Sequence, residues 1–213
     1  MTRTIAIGDV HGCARELVDL LNAIHLKEND QIVFLGDLIN NGPSSHEVVK
    51  IARQTGSVAL LGNHERRLLW YRRTGQARIL RRTDLPTVNS LTRKDWLYLE
   101  RMPLTYQLDG GNVVLVHGGF APDRYWAAQP ASVVTEIQYL SPANPKARGQ
   151  RVHWSEIWHG PPFVIYGHTP RRDIQRTEAT LGIDTGCYQG GKLTALIYPE
   201  FRIVQVPARR KYV

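Results

Sequence analysis

Five short apolar runs punctuate the chain, and each leads into a polar stretch rich in glycine. They are Thr4-Ile5-Ala6-Ile7 before Gly8-Asp9-Val10-His11-Gly12, Ile32-Val33-Phe34-Leu35 before Gly36-Asp37, Val58-Ala59-Leu60-Leu61 before Gly62-Asn63-His64-Glu65, Val113-Val114-Leu115-Val116 before His117-Gly118-Gly119, and Phe163-Val164-Ile165-Tyr166 before Gly167-His168. Runs of this length and composition predict buried strands. Between the first three the period changes to a helical one. Leu17, Leu20, Leu21 and Ile24 form one apolar face, and Val48, Ile51 and Ala52 a second, with Pro43 in that helix's first turn and Gly56 at its end. A third helix follows His64 through Leu68 and Leu69. Strand and helix alternate as in βαβ units.

Further along, Thr92 and Asp95 cap a short helix through Leu97 and Leu99 that Pro103 stops. Thr105 to Leu108 and Val113 to Val116 flank Asp109-Gly110-Gly111-Asn112 as a hairpin, so the sheet is expected to be mixed. Residues 120–162 carry six prolines (Pro122, Pro130, Pro142, Pro145, Pro161, Pro162) and read as an irregular excursion that borders the substrate side of a site. Trp154 and Trp158 within it could stack on a base, packing onto the core being the plainer use. Thr180 to Asp184, Leu193 to Tyr198 and Arg202 to Val206 read as a meander of strands. Arg209-Arg210-Lys211 reads as a solvated tail. No internal repeat interrupts this order, and one domain spanning 1–213 is expected.

Composition adds three constraints. The 213 residues are 42% hydrophobic, ordinary for a globule, and no apolar run approaches the ~20 residues of a membrane helix. The first strand begins at Thr4, which leaves no room for a signal peptide, so a cytoplasmic location without membrane attachment is expected. Cys13 and Cys187 are too few for a disulfide framework, and Cys13 is expected to pack at a helix start. The formal charge is +8, and Arg66 to Lys94 holds nine basic residues against the single acid Asp84. That stretch is either a solvated face or a funnel for an anionic substrate.

The five strand ends present two Asp, one Asn and four His, the oxygen and imidazole ligands that manganese, iron and zinc accept. A lone buried histidine is ordinarily a core residue, whereas five repeats in order point to a metal centre. This ordered set resembles the calcineurin-like metallophosphoesterases of the phosphoprotein phosphatase superfamily, from Ile5 to Tyr198. Tyr166-Gly167-His168-Thr169-Pro170, Ile183-Asp184-Thr185-Gly186-Cys187 and Gly190-Gly191-Lys192-Leu193-Thr194 are most similar to bacterial symmetrical bis(5'-nucleosyl)-tetraphosphatases, and Gly42-Pro43-Ser44-Ser45 fits that branch.

The resemblance implies an α/β fold of two facing mixed β-sheets flanked by helices. It also implies two divalent ions, manganese first and iron, zinc, cobalt or nickel as alternatives. Asp37 would bridge them, Asp9 and His11 would complete one ion, and Asn63, His117 and His168 the other. Water activated by the pair would attack phosphorus, and His64 would protonate the leaving oxygen. Asn40 and Asn41 stand where protein phosphatases carry Asp and Arg. Asn40 is expected to orient His64 through its amide oxygen, while Asn41 cannot grip phosphate as a charged fork does. Arg66, Arg67 and Arg124 are the candidate substrate contacts that could compensate.

The expected reaction is cleavage of a phosphoanhydride in a dinucleoside polyphosphate such as diadenosine tetraphosphate. A phosphoserine/threonine phosphatase or a polyphosphatase acting on inorganic chains keeps the chemistry and changes the substrate. A basic RNA- or polyphosphate-binding protein is the non-enzymatic alternative, although an intact ligand set argues against it. The partner in each enzymatic case is a phosphorylated anion, with no obligatory nucleic acid.

Overall fold

The computed structural model describes residues 3–140 and 151–213. Its first half alternates as expected. Strands β1 (Thr4–Ile7), β2 (Gln31–Phe34) and β3 (Val58–Ala59) lie parallel, joined by helices α1 (Ala14–Ile24) and α2 (Ser45–Gln54). Helix α3 (Asn63–Thr74) leaves β3 and ends at Gly75, whose positive φ of 69° suits a residue without Cβ. Helix α2 starts at Ser45, so Pro43 lies before its first turn rather than within it.

Two short helices follow, α4 (Leu85–Ser90) and α5 (Arg93–Leu99), the latter opened by a reciprocal Thr92–Asp95 capping box. The hairpin of β4 (Thr105–Leu108) and β5 (Val113–Val116) pairs Leu108 with Val113. The excursion carries α6 (Ala131–Val134) and a two-stranded ribbon, β6 (Tyr139–Leu140) with β7 (Val152–His153). Pro142 and Pro145 lie outside the described residues. Then come β8 (Phe163–Tyr166), β9 (Gln175–Arg176), β10 (Thr180–Gly182), β11 (Lys192–Tyr198) and β12 (Arg202–Pro207).

Among the described residues, two five-stranded mixed sheets result, ordered β12-β11-β1-β2-β3 and β4-β5-β8-β10-β9. The last strands are therefore no meander. β10 joins the second sheet beside β8, while β11 crosses to pair antiparallel with β1 in the first. The reason is burial: Leu193, Ala195 and Ile197 of β11 face the helices while Leu196 faces the other sheet, and only an interior position buries both sides.

Period-two alternation sorts the core into layers. Ile5, Ile7, Ile32 and Phe34 meet α1 and α2 on one face, whereas Ala6, Val33, Leu35, Val113, Leu115, Ile165 and Leu181 fill the space between the sheets. Val114, Val116 and Val164 on the far face of the second sheet pack on Phe120, Trp154 and Trp158. Both tryptophans are thus packing residues. The basic C-terminal segment is not a free tail either, because the Arg209 N–H and the Tyr212 hydroxyl both donate to Glu16 Oε1 on α1, at 2.9 and 2.7 Å.

Candidate active site

The carboxyl ends of the parallel strands of both sheets converge, which is where open α/β sheets place ligands. Strands β1, β2 and β3 deliver Asp9 and His11, Asp37, then Asn63 and His64; β5 and β8 deliver His117 and His168. A sixth end was missed by sequence reading: β10 runs into Asp184, buried on the cavity wall. Thr180-Leu181-Gly182-Ile183 before Asp184 repeats the apolar-run signal, and the resemblance had drawn attention to the motif without giving the acid a role.

Tight turns hold these side chains. His11, Asp37 and His168 have φ of 46°, 46° and 65°, a left-handed conformation costly for any residue with a Cβ. A Cβ at Gly62 would collide with the Asp37 carboxylate, so glycine is required at that approach.

His11 donates Nδ1–H to the Ile39 carbonyl (3.0 Å) and His117 donates Nδ1–H to the Leu35 carbonyl (2.9 Å). Burial lowers their pKa values to about 3 and about 4, so both are neutral and each Nε2 keeps its lone pair. Those lone pairs face other acceptors. His11 Nε2 lies 3.5 Å from Asp37 Oδ2, while His117 Nε2 lies 3.5 Å from Asp37 Oδ1 and 3.1 Å from Asn63 Oδ1. Acceptors this close with no hydrogen between them fit a cation. His11, Asp37 and His64 form one group able to hold a metal, and Asp37, His117 and His168 a second, with Asp37 common to both. His168, lowered to about 3 by burial, uses Nε2 on the Glu136 carbonyl at 3.3 Å and keeps Nδ1 free.

The charge balance agrees. Asp9, Asp37, Glu65 and Asp184 are all buried, and burial raises each above the usual carboxylate range. Glu65, which had no expected role, accepts N–H bonds from Asp37 (3.0 Å), Leu38 (2.9 Å) and Ile39 (3.3 Å) and so fixes the turn that carries Asp37. Asp37 Oδ1 accepts the His64 N–H at the start of α3, and both Asp9 oxygens accept the His168 N–H at 3.1 Å. Divalent cations would relieve this buried negative charge, and the donor set suits them.

His64 has an unexpected surround. Asn40 turns its amide nitrogen, not its oxygen, toward His64 Nδ1, at 3.0 Å. The same nitrogen donates to Asp84 Oδ1 at 2.9 Å, where an amide oxygen would face a carboxylate. Arg67 grips Asp84 with two bonds of 2.8 Å and places a guanidinium nitrogen 3.1 Å from His64 Nδ1.

The site opens into a cavity of about 650 Å³, whose wall includes Arg66, Arg67, Trp70, Arg81, Glu136 and Tyr188. Asn63, Arg66, Arg67 and Trp70 share one face of α3 at helical spacing. Of the nine basic residues in the stretch, Arg66, Arg67 and Arg81 line this cavity; Arg72 lies over Trp96 and Arg73 over Trp70. Arg66 is paired with Glu136 across the mouth. Arg124 is exposed and does not line the cavity. Asn41 lines a smaller cleft with Gly42, Pro43 and Pro86, its amide 3.4 Å from His11 Nδ1.

The calcineurin-like phosphoesterase family model matches residues 2–201. Relatives named bis(5'-nucleosyl)-tetraphosphatase PrpE [asymmetrical] include those of Oceanobacillus iheyensis, 31% identical over 97% of this chain and 93% of that protein, and Bacillus cereus, 32% identical over 97% and 95%. A solved structure described as a candidate diadenosine tetraphosphatase superposes with a TM-score of 0.83 at 31% identity, covering 97% of this chain and 94% of that one. The sequence motifs pointed to the symmetrical branch, whereas these relatives carry the asymmetrical designation. The chain belongs to the calcineurin-like phosphoesterases and is a metal-dependent phosphoric ester or anhydride hydrolase.

Proposed function

We propose that this enzyme hydrolyses a phosphoanhydride of a dinucleoside polyphosphate such as diadenosine tetraphosphate. The observation that carries the reading is the pair of acceptor groups sharing Asp37 at the base of a cavity walled by Arg66, Arg67 and Arg81. Asp9, His11 and Asp37 would hold one divalent ion, and Asp37, Asn63, His117 and His168 the other, with manganese the first expectation. Ions held there would neutralise charge on the phosphoryl oxygens and acidify water. His64 presents Nε2 to the same space, 4.0 Å from Asp37 Oδ2, as a donor to the leaving oxygen. Arg66 and Arg81, which line the cavity, would hold the phosphates not transferred.

Similarity to proteins named as asymmetrical tetraphosphatases supports this substrate class, and their name supports unequal cleavage. The test is turnover with manganese of diadenosine tetraphosphate, inorganic polyphosphate, a phosphopeptide and an aryl phosphate, with the products separated. Release of adenosine monophosphate with adenosine triphosphate is the expected result. Two molecules of adenosine diphosphate would move cleavage to the symmetrical position. Turnover of the phosphopeptide or polyphosphate with the dinucleotide untouched would replace the reading.

A further inference from the structure

Resting on that reading, we infer that Asp84 is a positioning residue which, through Asn40 and Arg67, holds His64 in the tautomer with its proton on Nε2 and so favours substrates whose leaving group departs as a stable anion. His64 Nδ1 has two neighbours within hydrogen-bond range, the Asn40 amide nitrogen at 3.0 Å and an Arg67 guanidinium nitrogen at 3.1 Å. A guanidinium only donates. The Asn40 amide could be reversed in principle, but Asp84 Oδ1 lies 2.9 Å from the same nitrogen and demands a donor there. Nδ1 is therefore an acceptor, and the ring's one proton sits on Nε2, facing the cavity.

Asp84 is built for this task. It is fully buried, and its oxygens accept two bonds from Arg67, one from Asn40 and one from the Arg81 N–H at 2.8 Å. The cost of the arrangement is visible on the other side of Asn40, whose amide oxygen is buried with no partner among the described residues. Such an orphan is costly, which argues that the amide is held in this orientation by stronger demands around it. Asn40 also has φ of 68°, a conformation that Asn tolerates better than most residues.

A His64 held in this way donates a hydrogen bond without readily giving up its proton, since no acceptor stands at Nδ1 for a second one. In the hydrolysis the phosphorus to leaving-oxygen bond breaks and a bond from phosphorus to the water oxygen forms. The leaving group departs as its anion, hydrogen-bonded to Nε2–H, and the proton from water passes to solvent. A nucleoside polyphosphate is stable as that anion. An alkyl or aryl alkoxide of high pKa is not, so phosphate monoesters of poor leaving groups should be turned over slowly.

The direct test is long-range proton–nitrogen NMR of the histidine rings in the zinc-loaded protein, with His64 assigned from His64→Gln. The expected pattern is protonated Nε2 and bare Nδ1. A protonated Nδ1, or a mixture, overturns the inference, even if the protein hydrolyses dinucleoside polyphosphates. The second test transfers the carboxylate by pairing Asn40→Asp with Asp84→Asn. Nδ1–H should then donate to the carboxylate placed at position 40, which lets the ring hold a second proton on Nε2 to hand to the leaving oxygen, and the steep dependence of kcat on leaving-group pKa across a series of aryl phosphates should flatten. Asp84→Asn alone should lower kcat about 10-fold to 100-fold with KM little changed, because it misorients the donor rather than weakening binding. An unchanged leaving-group slope in the paired variant would leave Asp84 a merely structural residue. Should either variant fail to fold, the wild-type tautomer still decides.

Discussion

The floor and the rim of the active site are built in different ways. Floor residues stand within or directly after strand ends, His11, Asp37 and His168 on left-handed backbone, and main-chain groups fix the two buried rings, as Ile39 does for His11 and Leu35 for His117. Rim residues stand on α3 and the segment after it, and other side chains hold them, as Glu136 holds Arg66 and Asp84 holds Arg67. Main-chain partners persist through side-chain substitution, whereas each side-chain partner can be deleted singly. The floor should therefore fail all at once, and the rim should be tuned one contact at a time.

The largest effect is expected at Asp37, shared by both acceptor groups. Asp37→Asn should lose bound metal, measured by elemental analysis after gel filtration, and lower turnover by more than the ~100-fold to 1,000-fold that one transition-state donor is worth. Normal metal content with normal turnover would show that the floor is not a metal centre. His64→Ala lies between floor and rim and should keep its metals while losing about 100-fold to 1,000-fold in kcat. A variant that also loses metal would place His64 among the ligands, as its membership of the first acceptor group allows.

Rim substitutions should act on binding. Arg66→Ala or Arg81→Ala removes a charged donor worth about 1.5–3 kcal/mol, so KM for diadenosine tetraphosphate should rise about 10-fold to 100-fold with kcat nearly unchanged. Equal loss in kcat would mean that these arginines act on the transferred phosphoryl group instead.

The same contrast explains what could be read from the sequence. Each floor position follows an apolar run, and the pairing of strand with polar terminus is a local signal, so Asp9, His11, Asp37, Asn63, His117 and His168 were legible. Glu65 was in plain view beside His64, but its task depends on a turn 26 to 28 residues away. Asp84 looked like the lone acid of a basic stretch, and only the fold brings it 44 residues back to Asn40. Strands β1 to β5 and β8 were legible, whereas the β6–β7 ribbon was not, and the division into two sheets came from the resemblance. β11 was misread because an apolar strand does not declare which sheet it will join.

A subtler difference should appear in stability. Burial raises Asp9, Asp37, Glu65 and Asp184, and a carboxyl whose folded pKa exceeds its unfolded one stabilises at low pH and loses that contribution as pH rises through the folded value. Histidines lowered by burial act in the opposite sense. His11, His117 and His168 stabilise above their unfolded pKa of about 6.5 and lose that contribution as pH falls. Above about pH 6.5 only the carboxyls act. The Tm of the chelated protein should fall from pH 6.5 to pH 8.5, and manganese should flatten the curve by pairing the charge. Parallel curves with and without metal would mean that the buried acids are compensated some other way.

The smallest effect is expected where the charge is greatest but remote. Arg93 and Lys94 are exposed on α5 and do not line the main cavity. Reversing both to Glu changes the net charge by four, from +8 to +4. Replacing Arg66 and Arg81 with Ala changes it by only two. If the whole charge of the protein captures polyanions, the first pair should weaken capture of diadenosine tetraphosphate more than the second. Exposed charges are screened over about 8 Å at physiological ionic strength, however, so only those at the cavity mouth should be felt. The expected outcome is that kcat/KM at that ionic strength is unchanged by Arg93→Glu with Lys94→Glu and reduced by Arg66→Ala with Arg81→Ala. The salt dependence of kcat/KM should likewise flatten only in the latter. A larger loss in the α5 pair would make the basic stretch a general field rather than a rim, and would remove the distinction between its three cavity arginines and the rest.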